Sequence, residues 1–301
     1  MPRLLVRTDQ DRDMVIYYHA AQAASAHQDL YEAWPEYTPY MKPSRYFYAP
    51  PFAAVTAPLG RLSWQAFCYI WYALMLAAFW TFAFALSRLS GGRFTPLVCG
   101  LLVAIWPNTY FAFSIGQADV FMWALLASAT ACGRYRGALL AVAAIIKPIV
   151  LLPMLVVLWR DRKQVIPATG TITLALLVGA LVCGLRSYGM WITEALPVPS
   201  RGTFDPDNIS ISFAVLRIVG YHAWAHIWLS LAALSGPCVA IYATRRKSVE
   251  LQFAVVTIVS MICAPICWTS YLVVGLIPLA IIARTWPSDK KQVFQEDKAA
   301  A

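Results

Sequence analysis

Trp106-Pro-Asn-Thr-Tyr-Phe-Ala-Phe-Ser-Ile-Gly-Gln-Ala-Asp119, an apolar run through Lys147-Pro148, and then Trp159-Arg-Asp-Arg-Lys163 form the stretch whose reading decides the fold. Between Trp64 and Leu158 the only acidic residue is Asp119. Lys147 is the only basic residue there that lies inside an apolar run, since Arg88, Arg93, Arg134 and Arg136 fall between runs. An ionised side chain at mid-bilayer depth costs about 2.5–3.5 kcal/mol on insertion scales, so it is retained for a purpose and buried against protein or water. An acid and a base, each beside a helix breaker, predict a polar cavity cut into a membrane protein.

Composition agrees. The chain has 301 residues, 60% of them hydrophobic and 13% charged, with a mean hydropathy of +0.59. Soluble domains carry about 25% charged residues, so this composition excludes an ordinary soluble domain and predicts an all-α, polytopic transmembrane helix bundle. The net charge of +9 invites a nucleic-acid reading, but the basic residues form no single face. They fall in short clusters between apolar runs: Arg88 and Arg93, Arg134 and Arg136, Arg160 to Lys163, Arg245 to Lys247, Lys290 and Lys291. That is the positive-inside pattern of cytoplasmic loops, so the charge reports orientation and contact with membrane lipids, and no nucleic-acid partner is expected. The seven cysteines lie in or at the ends of apolar runs. Cys263 and Cys267 are spaced to share a helix face, but no metal-type CxxC pair exists, and free apolar thiols are expected.

Residues 1–63 differ from the rest. They hold six acidic and six basic residues, many prolines and no apolar run long enough to cross a bilayer. Within them Asp13 to Ala24 reads as an amphipathic helix, with Met14, Tyr17, Ala21 and Ala24 on one face and His19 and Gln22 on the other. No signal peptide precedes it, because Met1 to Thr8 has no apolar core.

The bundle is expected over 64–284, as about seven to nine helical segments of which full crossings need about 20 residues. Trp64–Ser87, Phe94–Phe113 (broken at Pro107), Gln117–Cys132, Val165–Leu185, His222–Ala243, Leu251–Ile266 and Tyr271–Ala283 are its apolar runs. Residues 285–301 form a polar cytoplasmic tail. Gly137–Leu158 has basic residues at both ends, which places both ends in the cytoplasm. Two half-helices meeting at Lys147-Pro148 satisfy this, each reaching only about 15 Å, and non-helical backbone at that depth must face protein or a wet cavity. A single Pro-kinked crossing is the other reading. The charge pattern puts residues 1–63, Gly116-Gln117, 186–221 and 267–270 together on the outer side.

Other chemistry is thin. Asp9, Asp11 and Asp13 form an acidic cluster, but no further ligand set has convincing spacing, and no metal is expected. His222 and His226 stand at i, i+4 without an intervening Glu, so they read as interface histidines rather than a zinc pair. Asn208 and Ser210 read as turn residues, and Arg217 as an interface cation. No phosphate-loop glycine pattern or Ser-His-Asp set is present, and no cofactor is expected.

Several pieces, in order, resemble the polyprenyl-phosphate-dependent mannosyltransferases of glycosyltransferase family 87, which have the GT-C membrane fold. They are Asp13-Met-Val-Ile-Tyr-Tyr-His-Ala-Ala with Asp29-Leu-Tyr31, Tyr48-Ala-Pro-Pro-Phe52, Gly116-Gln117-Ala118-Asp119, Lys147-Pro148, Asp207-Asn208-Ile-Ser210 and Ala264-Pro265-Ile-Cys-Trp268. The resemblance runs from about residue 11 to 283. It implies that Asp13 is the base that deprotonates an acceptor hydroxyl, with inversion at the sugar. It also implies a donor-phosphate and sugar site built from Lys147, Gln117, Asp119, Asn208, Ser210 and Arg217.

Three departures accompany it. The family has a transmembrane helix ahead of its catalytic Asp, whereas this chain starts twelve residues before Asp13. Members often carry His after the tryptophan matched by Trp268, where this chain has Thr269-Ser270-Tyr271. The family's amide two residues after the Gln is here Asp119.

The expected function is an integral-membrane hexosyltransferase at the outer, periplasmic face of a bacterial inner membrane. It would move a hexose, mannose in the family, from a polyprenyl-phosphate-sugar donor to a lipid or glycan acceptor. The alternatives are a non-enzymatic transporter or flippase of lipid-linked sugars, using the same cavity without need of Asp13, or a degenerate, inactive member.

Overall fold

The computed structural model describes residues 13–31, 46–197, 208–220 and 223–286. Asp9, Asp11, Arg201, Asp205, His222 and the polar tail lie outside them. The fold is all-helical, and among the described residues the one β-type pairing is an isolated bridge between Asn208 and Trp268.

Helix α1 (Asp13–Ser25) buries Met14, Tyr17, Ala20, Ala21, Ala23 and Ala24, the face that its periodicity predicts. It lies on α2 (Pro50–Thr56) and the 3-10 turn Ala57–Arg61 that follows. Helix α3 (Trp64–Leu89) begins where the Ser63 hydroxyl accepts the Ala66 amide, satisfying one of the otherwise orphaned N–H groups of a helix start. Helices α4 (Pro96–Ile105) and α5 (Pro107–Ile115) are one apolar run bent by 81° at Trp106-Pro107. Pro107 has no N–H to give the helix and clashes with the preceding turn, so it can only start a new one.

Gly116 ends α5 in the left-handed region, at φ 71°. A Cβ there would stand 2.7 Å from Met14 Cβ, so both the backbone sign and the approach of α1 demand glycine.

Helix α6 (Asp119–Ala131) runs away from that turn, and α7 (Arg136–Ile146) returns along it at a bend of 116°. Lys147, extended, separates α7 from the turn Pro148–Val150 and α8 (Leu151–Arg160). Gln164, after α8, comes back to the start of α7. Its Oε1 accepts the Gly137 amide at 2.8 Å and its Nε2 donates to the Gly133 carbonyl at 2.9 Å. Both ends of the 137–158 run therefore lie side by side.

Helix α9 (Val165–Met190) breaks at Gly184, φ 78°. The remaining helices are α10 (Ile211–Val219), α11 (Ala223–Thr244), α12 (Val249–Cys263) and α13 (Leu276–Thr285). Helix α12 stops at Cys263, two residues before Pro265. The predicted shared helix face for Cys263 and Cys267 is thus absent: Cys267 sits in the following loop, and both are buried free thiols.

Trp64–Leu89 and Arg162–Ala195 are long and apolar enough to cross a membrane, and the two bent pairs raise the number of candidate spans to four. The protein is an integral membrane protein. Residues of three basic clusters meet around the start of α12. Arg136 pairs with Glu250 at 2.7 Å, while Arg160 donates to Gln252 at 2.8 Å and to the Arg245 carbonyl at 3.0 Å.

Candidate active site

At the opposite ends of α6 and α7 the two charges meet. Lys147 Nζ stands 3.1 Å from Asp119 Oδ1 and donates to the Tyr271 hydroxyl at 3.0 Å. Asp119 is fully buried. Its Oδ2 accepts the Ser270 hydroxyl at 2.7 Å, whereas Oδ1 has no well-aligned hydrogen bond. The Asp119–Lys147 contact is thus an ion pair held by charge more than by direction. Aromatic rings wall the ammonium: Tyr48 at 5.0 Å and Tyr271 at 5.2 Å from their centroids, a separation at which ring quadrupoles attract a cation.

Asp119 opens the 13-residue helix α6, which spans about 20 Å. Helix α7 brings Lys147 to the same level. The ion pair satisfies both where either alone would be an uncompensated charge.

Asp13, the first residue of α1, faces this pair and remains partly open. Burial pushes its carboxyl up to about 6; Lys147 pulls it down, Asp119 pushes it up, and a hydrogen bond from the Gln117 side chain pulls it down. A carboxylate only accepts, so Gln117 must give it the Nε2 donor. Gln117 Oε1 is then left buried without a partner. Helix α1 is anchored for this role by Tyr17. Its hydroxyl pairs with that of Tyr48 at 2.7 Å and accepts the Ala118 amide at 3.3 Å. Trp71 Nε1, donating to the Gly116 carbonyl at 2.9 Å, fixes the same turn from α3.

Asn208 and Ser210 do their visible work one step back. Asn208 Oδ1 accepts the Cys267 amide at 2.9 Å, and its Nδ2 donates to the Pro265 carbonyl at 3.3 Å. The Ser210 hydroxyl also donates to Pro265, at 3.2 Å, and caps α10 by accepting the Phe213 amide at 3.0 Å. Together they clamp the 265–268 loop, which delivers Ser270 and Tyr271 to the ion pair. Arg217 is exposed, its guanidinium over the Phe213 ring, and is not part of this cluster.

The structure thus brings Asp13, Gln117, Asp119 and Lys147 together, with Asn208 and Ser210 behind them. Tyr17, Tyr48, Ser270 and Tyr271 are members that the sequence reading did not single out. Tyr17 and Tyr48 sit inside motifs quoted for other reasons, and Ser270 and Tyr271 fill the place where a His was expected. Among the described residues no group of three or more His, Cys, Asp or Glu is gathered as a metal site.

A buried lysine–aspartate ion pair inside a helical membrane protein, with a third carboxyl beside it, defines a class: a membrane-embedded polar site that holds acidic and basic groups together. The chain belongs to glycosyltransferase family 87, whose family model matches residues 46–270. It is a membrane glycosyltransferase. No curated protein and no solved structure matches the chain. The family match begins after α1, so Asp13 joins the site by geometry rather than by that match.

Proposed function

We propose that the protein transfers a hexose, mannose by family resemblance, from a polyprenyl-phosphate-sugar donor to a lipid or glycan acceptor. The reaction inverts the anomeric carbon and takes place on the outer face of a bacterial inner membrane. The observation that supports this best is the buried Lys147–Asp119 ion pair with the Asp13 carboxyl beside it, which places a base next to a cation.

The acceptor hydroxyl gives its proton to Asp13 while its oxygen attacks the anomeric carbon. The bond from that carbon to the phosphate oxygen breaks, and the phosphate leaves as an anion. No general acid is needed for such a leaving group, and the fixed Lys147 charge stabilises it as it develops. Asp119 cannot serve as a second catalytic carboxylate of the hydrolase kind, because its two oxygens face Ser270 and Lys147. The Tyr271 hydroxyl meets Lys147, and Tyr271 also lines an apolar cleft with Ile258, Met261, Ile262, Leu272 and Gly275.

The test is Asp13→Asn, with sugar transfer and polyprenyl-phosphate binding measured on the same full-length preparation. Transfer lost with binding kept supports the reading, and transfer near the wild-type rate overturns it.

A further inference from the structure

Two positions where this chain departs from the family motifs touch each other. Asp119 stands where an amide is usual, and Ser270 lies in the segment where a His is common. The Ser270 hydroxyl donates to Asp119 Oδ2 at 2.7 Å. The pair of departures is therefore one device, and it bears on Lys147.

An ammonium has three N–H donors. On Lys147 one goes to the Tyr271 hydroxyl at 3.0 Å, and the ammonium stands 3.1 Å from Asp119 Oδ1 as an ion pair. A carboxylate is acceptor-only and negative, so Asp119 gives a phosphate neither a donor nor an attractive charge. A phosphate that reaches a remaining Lys147 donor comes within a few ångströms of that carboxylate. Two like charges that close, away from bulk water, repel.

We propose that Asp119 is a built-in counter-anion that shares the Lys147 ammonium with the donor phosphate and thereby weakens phosphate binding, so that the polyprenyl phosphate product leaves readily. The inference rests on the donor reading given above. Asp119 is then a positioning residue, since it acts through Lys147 and touches neither the sugar nor the acceptor.

A second consequence follows at Asp13. The groups that face its carboxyl are Lys147, Asp119 and Gln117, with the Tyr17 and Tyr48 hydroxyls nearby. Lys147 is the only cation among these groups, and Asp119 cancels much of its field. The base therefore stays stronger than it would beside a bare ammonium.

The experiment uses the full-length protein in lipid nanodiscs, with sugar-free polyprenyl phosphate as the binding probe. Asp119→Asn and Asp119→Ser remove the charge with two different shapes, and Asp119→Glu keeps it. The neutral variants should bind the probe about tenfold tighter or more, and the acidic limb of their transfer–pH profile should move to lower pH. Asp119→Glu should share neither change. Folded neutral variants that bind no tighter than wild type, or whose acidic limb stays in place, overturn the proposal. Failure of both neutral variants to fold also overturns it, because the carboxylate is then needed for folding and not for tuning. A wild-type protein that binds no polyprenyl phosphate defeats the donor reading itself. Binding by wild type without tightening in the variants defeats only the role given to Asp119.

Discussion

Gln164 holds Gly137: its side-chain carbonyl accepts the Gly137 amide at 2.8 Å, and its amide reaches the Gly133 carbonyl at 2.9 Å. One glutamine thereby sews the end of α8 to the beginning of α7. The chain between goes to the level of the ion pair and comes back. Helical halves of about ten residues rise about 15 Å each, too little to cross a core of about 30 Å.

We therefore expect the 137–158 segment to be re-entrant. In a cysteine-free background, single cysteines at the exposed positions Arg134 and Lys163 should be labelled by a membrane-impermeant thiol reagent from the cytoplasmic side only. Labelling of either one from outside rules out the hairpin.

The seam itself should matter to stability. Gln164→Leu leaves the buried Gly137 amide without a partner, which costs about 1–3 kcal/mol. The variant should unfold at a lower temperature in detergent, while its affinity for polyprenyl phosphate, set at the far end of α7, should stay close to wild type. A large loss of affinity would mean that the seam positions Lys147.

Lys147 and Asp119 call for a paired test. Removing one member of a buried ion pair leaves the other uncompensated, at roughly 3–5 kcal/mol. Lys147→Ala should thus lose both stability and transfer. Adding Asp119→Asn should restore much of the stability and none of the transfer, because neutralising the orphaned carboxylate does not replace the cation. Recovery of transfer in the double variant would show that Lys147 does not meet the donor phosphate.

How legible this was in the sequence depended on the range of the signal. Apolar runs bounded by basic clusters placed helices α3 to α9 and α11 to α13, because a bilayer demands long uninterrupted apolar segments with their charges at the ends. Pro107 and Pro148 marked breaks for the same local reason, since proline removes a donor and fixes φ. Lys147 and Asp119 stood out as lone charges in apolar surroundings. Their partners did not. Nothing in the sequence near Ser270 or Tyr271 says that either will meet a residue more than a hundred positions away, and tyrosines are so common in membrane belts that Tyr17 and Tyr48 carried no separate mark. The clamp of Asn208 on residues 265–267 was equally hidden, since an Asn before a helix cap reads locally as a turn. Single charges were visible, and the long-range hydrogen bonds that orient them were not.

Gln117 gives a pH prediction. Burial pushes the Asp13 carboxyl up to about 6, while Lys147 and, less strongly, the Gln117 hydrogen bond pull it down. A base acts only when deprotonated, so transfer should rise with pH through about 6 and level off above it. Gln117→Ala removes the bond that favours the charged form, and the acidic limb should move to higher pH. A profile that keeps its midpoint would detach Gln117 from the base.

Asp13 carries the last prediction. A positioned base typically contributes about 10²–10⁴-fold to a rate, which is about 3–5.5 kcal/mol of barrier at roughly 1.36 kcal/mol per tenfold. Asp13→Asn keeps the size of the side chain and its place at the head of α1, where Asn and Asp are about equally good caps. It cannot take a proton. The helix should therefore still seat Met14 and Tyr17, and α1 should still close on Gly116. Polyprenyl-phosphate binding should survive and even tighten, because one negative charge facing Lys147 is gone. Transfer should fall by at least about a hundredfold, and the acidic limb near pH 6 should vanish from whatever activity is left. Loss of transfer together with loss of binding would point to a collapsed site. A rate near that of wild type would make Asp13 a helix cap and send the search for the base to Asp9 and Asp11.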